Sequence, residues 1–142
     1  DEPDRVHAVM RKNLADLPKV VGVNNHMGSR YTQKSSKMSQ ALGIIKNRGL
    51  FFVDSLTTNR STGYACARQM GISTFRRDLF IDIQRDAVSV SNQMDKLRRL
   101  ALQHGVGIGI GHPRKETAEG ILRFLDSPRS DDVQFVYIAG LV

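Results

Sequence analysis

The sequence predicts an α/β fold in which mostly parallel strands alternate with helices. Three observations carry that expectation. Short runs at residues 20–23, 50–53 and 106–110 are apolar or glycine throughout, the pattern of strands covered on both faces. Between them lie longer stretches whose apolar residues recur at helical spacing. Each run also ends in a polar cluster: Asn24-Asn25-His26, Asp54-Ser55 and Gly111-His112. In helix-covered parallel sheets, ligands bind at such carboxyl ends of strands.

The elements follow in order. Residues 3–17 read as a helix with Val6, Val9, Met10 and Leu14 on one side, and Pro18 ends it. Residues 20–23 form the first strand. Residues 34–48 form the next helix, where Met38, Leu42 and Ile45 make an apolar face that Ala41 and Ile44 widen. Gly49 suits the left-handed position just past a helix end. Residues 50–53 are a strand, residues 61–70 a helix closed by Gly71, and residues 73–75 a weaker strand. Residues 79–81 extend that strand or form a short separate piece. A helix over residues 88–103 turns Val90, Met94, Leu97, Leu100 and Ala101 inward. Residues 106–110 are a strand, residues 116–125 a helix, residues 126–132 a polar loop, and residues 133–138 a final strand.

Composition bounds the function. The 142 residues favour one domain with its own core, and 40% hydrophobic with 25% charged residues is ordinary for a globular chain. No apolar run approaches the roughly 18 residues that span a bilayer. The single cysteine, Cys66, excludes an intramolecular disulfide and a multi-cysteine zinc ribbon, and reads as a small core residue. No signal peptide is visible behind Asp1. The net charge is +7, and between Leu17 and Arg77 the only carboxylate is Asp54. Such a field is either a set of solvated helix faces or an attraction for nucleic acid, an acidic glycan or an anionic envelope surface. Nucleic acid is disfavoured, because Trp is absent and the aromatics do not interleave with the basic residues.

The chemistry concentrates at the strand ends. His26 and His112 each follow an apolar run, and imidazole binds zinc or transfers protons near neutral pH. Asp54 offers a carboxylate as ligand, base or orienting group. Ser29 lies outside a Gly-x-Ser-x-Gly elbow, which disfavours a serine hydrolase. Arg77 and Asp78 suit pairing with each other or with neighbouring strand ends. The glycines of residues 105–111 alternate within a strand and do not form Gly-x-Gly-x-x-Gly, so they mark close approach of a helix on one face.

These segments resemble a known family. Val21-Gly22-Val23-Asn24-Asn25-His26-Met27-Gly28-Ser29-Arg30 resembles the signature of the divergent polysaccharide deacetylases. Arg48 to Ser55, Arg77-Asp78 with Phe80-Ile81-Asp82, and Ile108 to Pro113 are similar to later blocks, in the family's order. The resemblance implies a deacetylase-type (β/α) barrel, with residues 1–142 as one domain forming its carboxyl-terminal part. The family's opening strand with an aspartate pair, and a further histidine block, do not occur here. It implies zinc, with His26 and His112 as metal ligands, and His112 and Asp54 as catalytic groups. Asn24, Asn25, Ser29 and Arg77 would shape the substrate pocket. The implied partner is an acetylated polysaccharide or other envelope glycan, in a periplasmic or secreted setting. An open sheet edge implies a missing amino-terminal fragment or a second copy of the chain. A non-catalytic glycan-binding protein is the second reading.

Overall fold

The computed structural model describes residues 3–142. It is a mixed α/β structure of parallel strands alternating with helices, and no barrel closes among the described residues. The chain divides into two compact units: Asp1–Arg76 with Tyr137–Val142, and Arg77–Val136.

The first unit begins with α1 (Pro3–Ala15), followed by β1 (Gly22–Asn24), α2 (Ser29–Thr32) and α3 (Ser35–Asn47). It continues with β2 (Phe51–Asp54), α4 (Gly63–Gln69) and β3 (Thr74–Arg76). The strands form one parallel sheet in the order β1-β2-β3, with Val23 opposite Phe52 and Val53 opposite Phe75. Parallel neighbours need a crossover, and here α3 and α4 supply it. Each crossover helix turns into its strand by the same device. Gly49 and Gly71 sit at φ 65° and 70°, and the next residue, Leu50 or Ile72, bonds back to the carbonyl of Ile45 or Ala67. This is a Schellman end, which satisfies the last carbonyls of the helix at a position glycine adopts without strain. Met38, Leu42, Ile45, Phe52, Cys66 and Ala67 are buried in the core between helices and sheet. Cys66 is thus the small core residue its surroundings suggested.

The second unit holds β4 (Leu79–Phe80), α5 (Ala87–His104), β5 (Gly109–Ile110) and α6 (Lys115–Leu125). β4 and β5 pair in parallel, so residues 79–80 are a separate strand in a second sheet. Asp86 caps α5 by accepting from the Ser89 backbone N–H at 2.7 Å. Leu79, Ile81, Met94 and Phe124 form the core, with Leu97, Leu100 and Ile121 packed against it. The alternating glycines do mark a close approach. A Cβ at Gly109 would lie 2.7 Å from the Leu97 side chain of α5 and 2.9 Å from Ile81, and one at Gly107 3.0 Å from the Leu97 carbonyl.

Two expectations need correction. Residues 133–138 form no strand; they run irregularly into a 3-10 turn at Ile138–Leu141. A strand exists only through a neighbour that takes its backbone hydrogen bonds, and no described strand pairs with this segment. Phe135 instead packs edge-on against Phe124, while Tyr137 is 92% exposed. Val9 faces outward, because the buried side of α1 follows Met10 and Leu14, one turn apart. The polar stretch after β1 also contains the short helix α2, started at Gly28 in the left-handed region.

Candidate functional site

In the first unit the predicted polar residues gather at the carboxyl ends of β1 and β2. Asn24 donates from Nδ2 to Ser55 Oγ at 3.1 Å, and Asn25 Oδ1 accepts from the Ser55 backbone N–H at 2.8 Å. Two adjacent amides thereby stitch one strand end to the next. This orientation leaves Asn25 Nδ2 buried and without a hydrogen-bond partner among the described residues. A buried amide donor in that state costs about 1–3 kcal/mol until something accepts from it. His26 is exposed in the following loop, and Met27 holds a left-handed backbone at φ 59°. Asn25, His26 and Met27 line a cavity of about 250 Å³ whose other walls include Met38, Leu42 and Phe52. Ser29 opens α2 and is exposed.

Asp54 ends β2 and is 0% exposed. Its Oδ1 accepts from the Leu56 N–H at 2.9 Å. Its Oδ2 accepts from the Ser61 hydroxyl at 2.8 Å and the Tyr64 N–H at 2.9 Å. The carboxyl therefore ties the loop after β2 to the start of α4. A Cβ at Gly63 would lie 2.8 Å from Asp54 Oδ2, so glycine is what lets the helix start close over the carboxyl.

In the second unit, β4 and β5 bring Asp82 and His112 together. Asp82 is 4% exposed. It accepts from the His112 backbone N–H at 2.7 Å, lies 3.0 and 3.2 Å from His112 Nδ1, and accepts from the Thr117 hydroxyl at 3.2 Å. Arg114 stands 3.6 Å away. Burial alone would push the Asp82 carboxyl up. The hydrogen bonds from the His112 backbone and ring and from Thr117 outweigh it and hold the group below the usual carboxylate range. An ionised carboxylate only accepts, so the neutral His112 ring carries its proton on Nδ1. The imidazole is 43% exposed. Asp78 pairs with a strand end, as its position suggested: it accepts from the Ile108 N–H at 2.7 Å. Arg77 stacks its guanidinium 3.9 Å from the centre of the Phe80 ring.

Asp82, Thr117 and Arg114 carry no role in the sequence reading, yet they surround His112. One signal was available: Leu79-Phe80-Ile81-Asp82 repeats the pattern of Phe51-Phe52-Val53-Asp54. A zinc site needs three or four nitrogen, sulfur or oxygen ligands at about 2.0–2.3 Å. Among the described residues no three His, Cys, Asp or Glu side chains gather in that way. Asp54 has both oxygens engaged by its own loop and helix. The donors present here do not make a complete zinc site.

Parallel strands with covering helices, and polar residues gathered at the strand ends, define an α/β protein. The chain belongs to the divergent polysaccharide deacetylase family, whose model matches residues 1–142. Two relatives are similar in sequence. The uncharacterized protein YibQ of Escherichia coli strain K12 is 29% identical over 114 residues, covering 80% of this chain and 36% of the relative. An uncharacterized protein of Haemophilus influenzae is 31% identical over 138 residues, covering 97% of this chain and 48% of the relative. The crystal structure of the uncharacterized protein ATU2773 from Agrobacterium tumefaciens C58 shares the fold, with a TM-score of 0.80 and 24% identity. That match covers 86% of this chain and 50% of the solved one. The chain therefore spans half or less of the length of these proteins.

Proposed function

We propose that this chain takes part in hydrolysing acetyl groups from an envelope glycan, in a periplasmic or secreted setting, and that His112 supplies the proton transfer. The Asp82–His112 pair carries the reading. Water adds to the acetyl carbonyl carbon, and the bond from that carbon to the sugar nitrogen or oxygen breaks. Doubly protonated His112 gives its Nε2 proton to the departing atom, a proton from the added water recharges Nε2, and acetic acid leaves beside a free amine or hydroxyl, ionising to acetate in solvent. Asp82 fixes the ring orientation and faces the imidazolium with its negative charge, the arrangement that serves proton transfer in other hydrolases. Separately, in the first unit, Asn25 is proposed as a glycan-contacting group of its own, since its buried Nδ2 suits a sugar oxygen. Asn24 and Ser29 are proposed as further glycan contacts of the first unit, and Arg77 as one of the second. Zinc, as the family likeness implies, would take His26 from this chain and complete its ligands outside the described residues. No step above is routed through it.

Acetate release from N- and O-acetylated oligosaccharides tests the reading. The protein should release acetate, and His112→Ala and Asp82→Asn should each lower the rate about 100-fold or more. Nitrogen NMR of His112 should place the neutral ring's proton on Nδ1, and Asp82→Asn should shift that signal. Saturable glycan binding without acetate release would select the non-catalytic reading instead.

A further inference from the structure

The net charge is not shared between the two units. The first holds twelve Lys and Arg against five Asp and Glu, which is the whole formal +7. The second holds nine of each. Within residues 17–76 of the first unit, the one carboxylate is Asp54, and it is fully buried. Pairing repeats the contrast. In the second unit, Arg98 pairs with Asp132 and Asp95, Arg99 with Asp95, Arg114 with Asp82 and Lys115 with Glu119. No lysine or arginine of residues 5–76 forms an ion pair among the described residues. Their ring contacts are with tyrosine faces: Lys37 over Tyr31, and Arg68 and Arg76 over Tyr64. Arg30, Lys34, Lys46 and Arg48 are exposed, and the first two closely follow the His26 loop.

We infer that the first unit binds a polyanionic glycan, a saccharide chain bearing carboxylate or phosphate groups along its length. A surface whose cations lack internal counter-charges attracts a linear polyanion and releases its counterions on binding. The inference rests on the glycan reading above for its choice of polymer. The aromatics favour that choice over nucleic acid. In residues 5–76 no Phe or Tyr is exposed and the two tyrosines lie under cations, so the basic stretch itself offers no ring to a base; the one exposed Phe or Tyr ring of the unit, Tyr137, stands alone.

Binding of polygalacturonate oligomers tests the inference without any turnover, so it can succeed or fail independently of acetate release. Titrations at low and moderate salt would run beside neutral dextran, single-stranded DNA of equal charge, and vesicles containing anionic phospholipid. The expected result is saturable polygalacturonate binding that weakens about tenfold or more between 50 and 200 mM salt, with none to dextran. The double variant Lys34→Glu/Lys46→Glu should weaken it tenfold or more, while Lys96→Glu/Arg123→Glu in the second unit should leave it within twofold. Circular dichroism would establish that both variants are folded. The inference is overturned by absent binding at low salt, by equal binding to dextran, by tighter binding to the DNA or the vesicles, or by equal effects of the two variants.

Discussion

Asp54 and Asp82 form a natural pair for comparison, one from each unit. Both follow three apolar residues at the end of a parallel strand, and both are buried. Asp54 turns inward and accepts from two backbone N–H groups and a serine of its own loop and helix. Asp82 turns its oxygens onto an imidazole that reaches solvent. Residue type and place at a strand end are the same in both; the donors that meet the carboxyl decide whether it holds a loop or orients an imidazole. The catalytic weight that the family likeness implies for Asp54 therefore passes to Asp82 in the proposed reaction.

The largest test of that contrast is Asp54→Ala. Three donors lose their acceptor in a buried place, so stability should fall by about 3 kcal/mol or more in urea unfolding. A variant as stable as the parent would break the comparison. Asp82→Asn should cost less stability, about 1–3 kcal/mol, but should remove most acetate release. Equal stability losses with unchanged His112 signals would dissolve the distinction from the other side.

Acid titration sharpens it further. Because the folded Asp82 carboxyl lies below its unfolded value of about 3.9, its contribution is present above that pH. It is lost as the pH falls through the lower folded value. Asp82→Asn should flatten that part of the stability curve below pH 4 and leave the neutral range changed only by a constant. The smallest effect concerns α3, whose N-cap is Lys34, with no side-chain cap and no acid in the first turn. Lys34→Asp should stabilise the chain by about 1 kcal/mol in thermal unfolding, by capping the helix and reversing a charge at its positive end. The same change should weaken polyanion binding, which would show that a better helix was available at that position.

Most of the architecture was legible because buried parallel strands and their crossover helices leave strong periodic marks. α3 needed only Met38, Leu42 and Ile45 at helical spacing and Gly49 beyond the end. The glycines of residues 107–111 were legible as a close approach for the same reason. Residues 133–138 were not, since an apolar alternating segment becomes a strand only when a neighbour offers a ladder, and its own residues do not encode that neighbour. The site was half legible. His112 stood out as an imidazole after an apolar run, and Asn24 and Asn25 stood out as a polar pair. Thr117 and Arg114 lie in and just before α6, and only the turn after β5 brings them to Asp82. No spacing rule reports that meeting.

The bare strand β5 has one more consequence. Gly109 and Gly111 let Leu97 and Ile81 press directly on the backbone that leads into His112. A methyl group at Gly109 would meet both side chains within 3 Å, and one at Gly111 would meet Ile81 at 2.8 Å, so either would shift the chain just ahead of the imidazole. The site is thus exposed to mutational drift at positions that touch no substrate. A random screen for inactive versions of this chain should return glycine replacements at 109 and 111 as readily as changes to the Asp82–His112 pair. A survey that sought function only among polar side chains would overlook them.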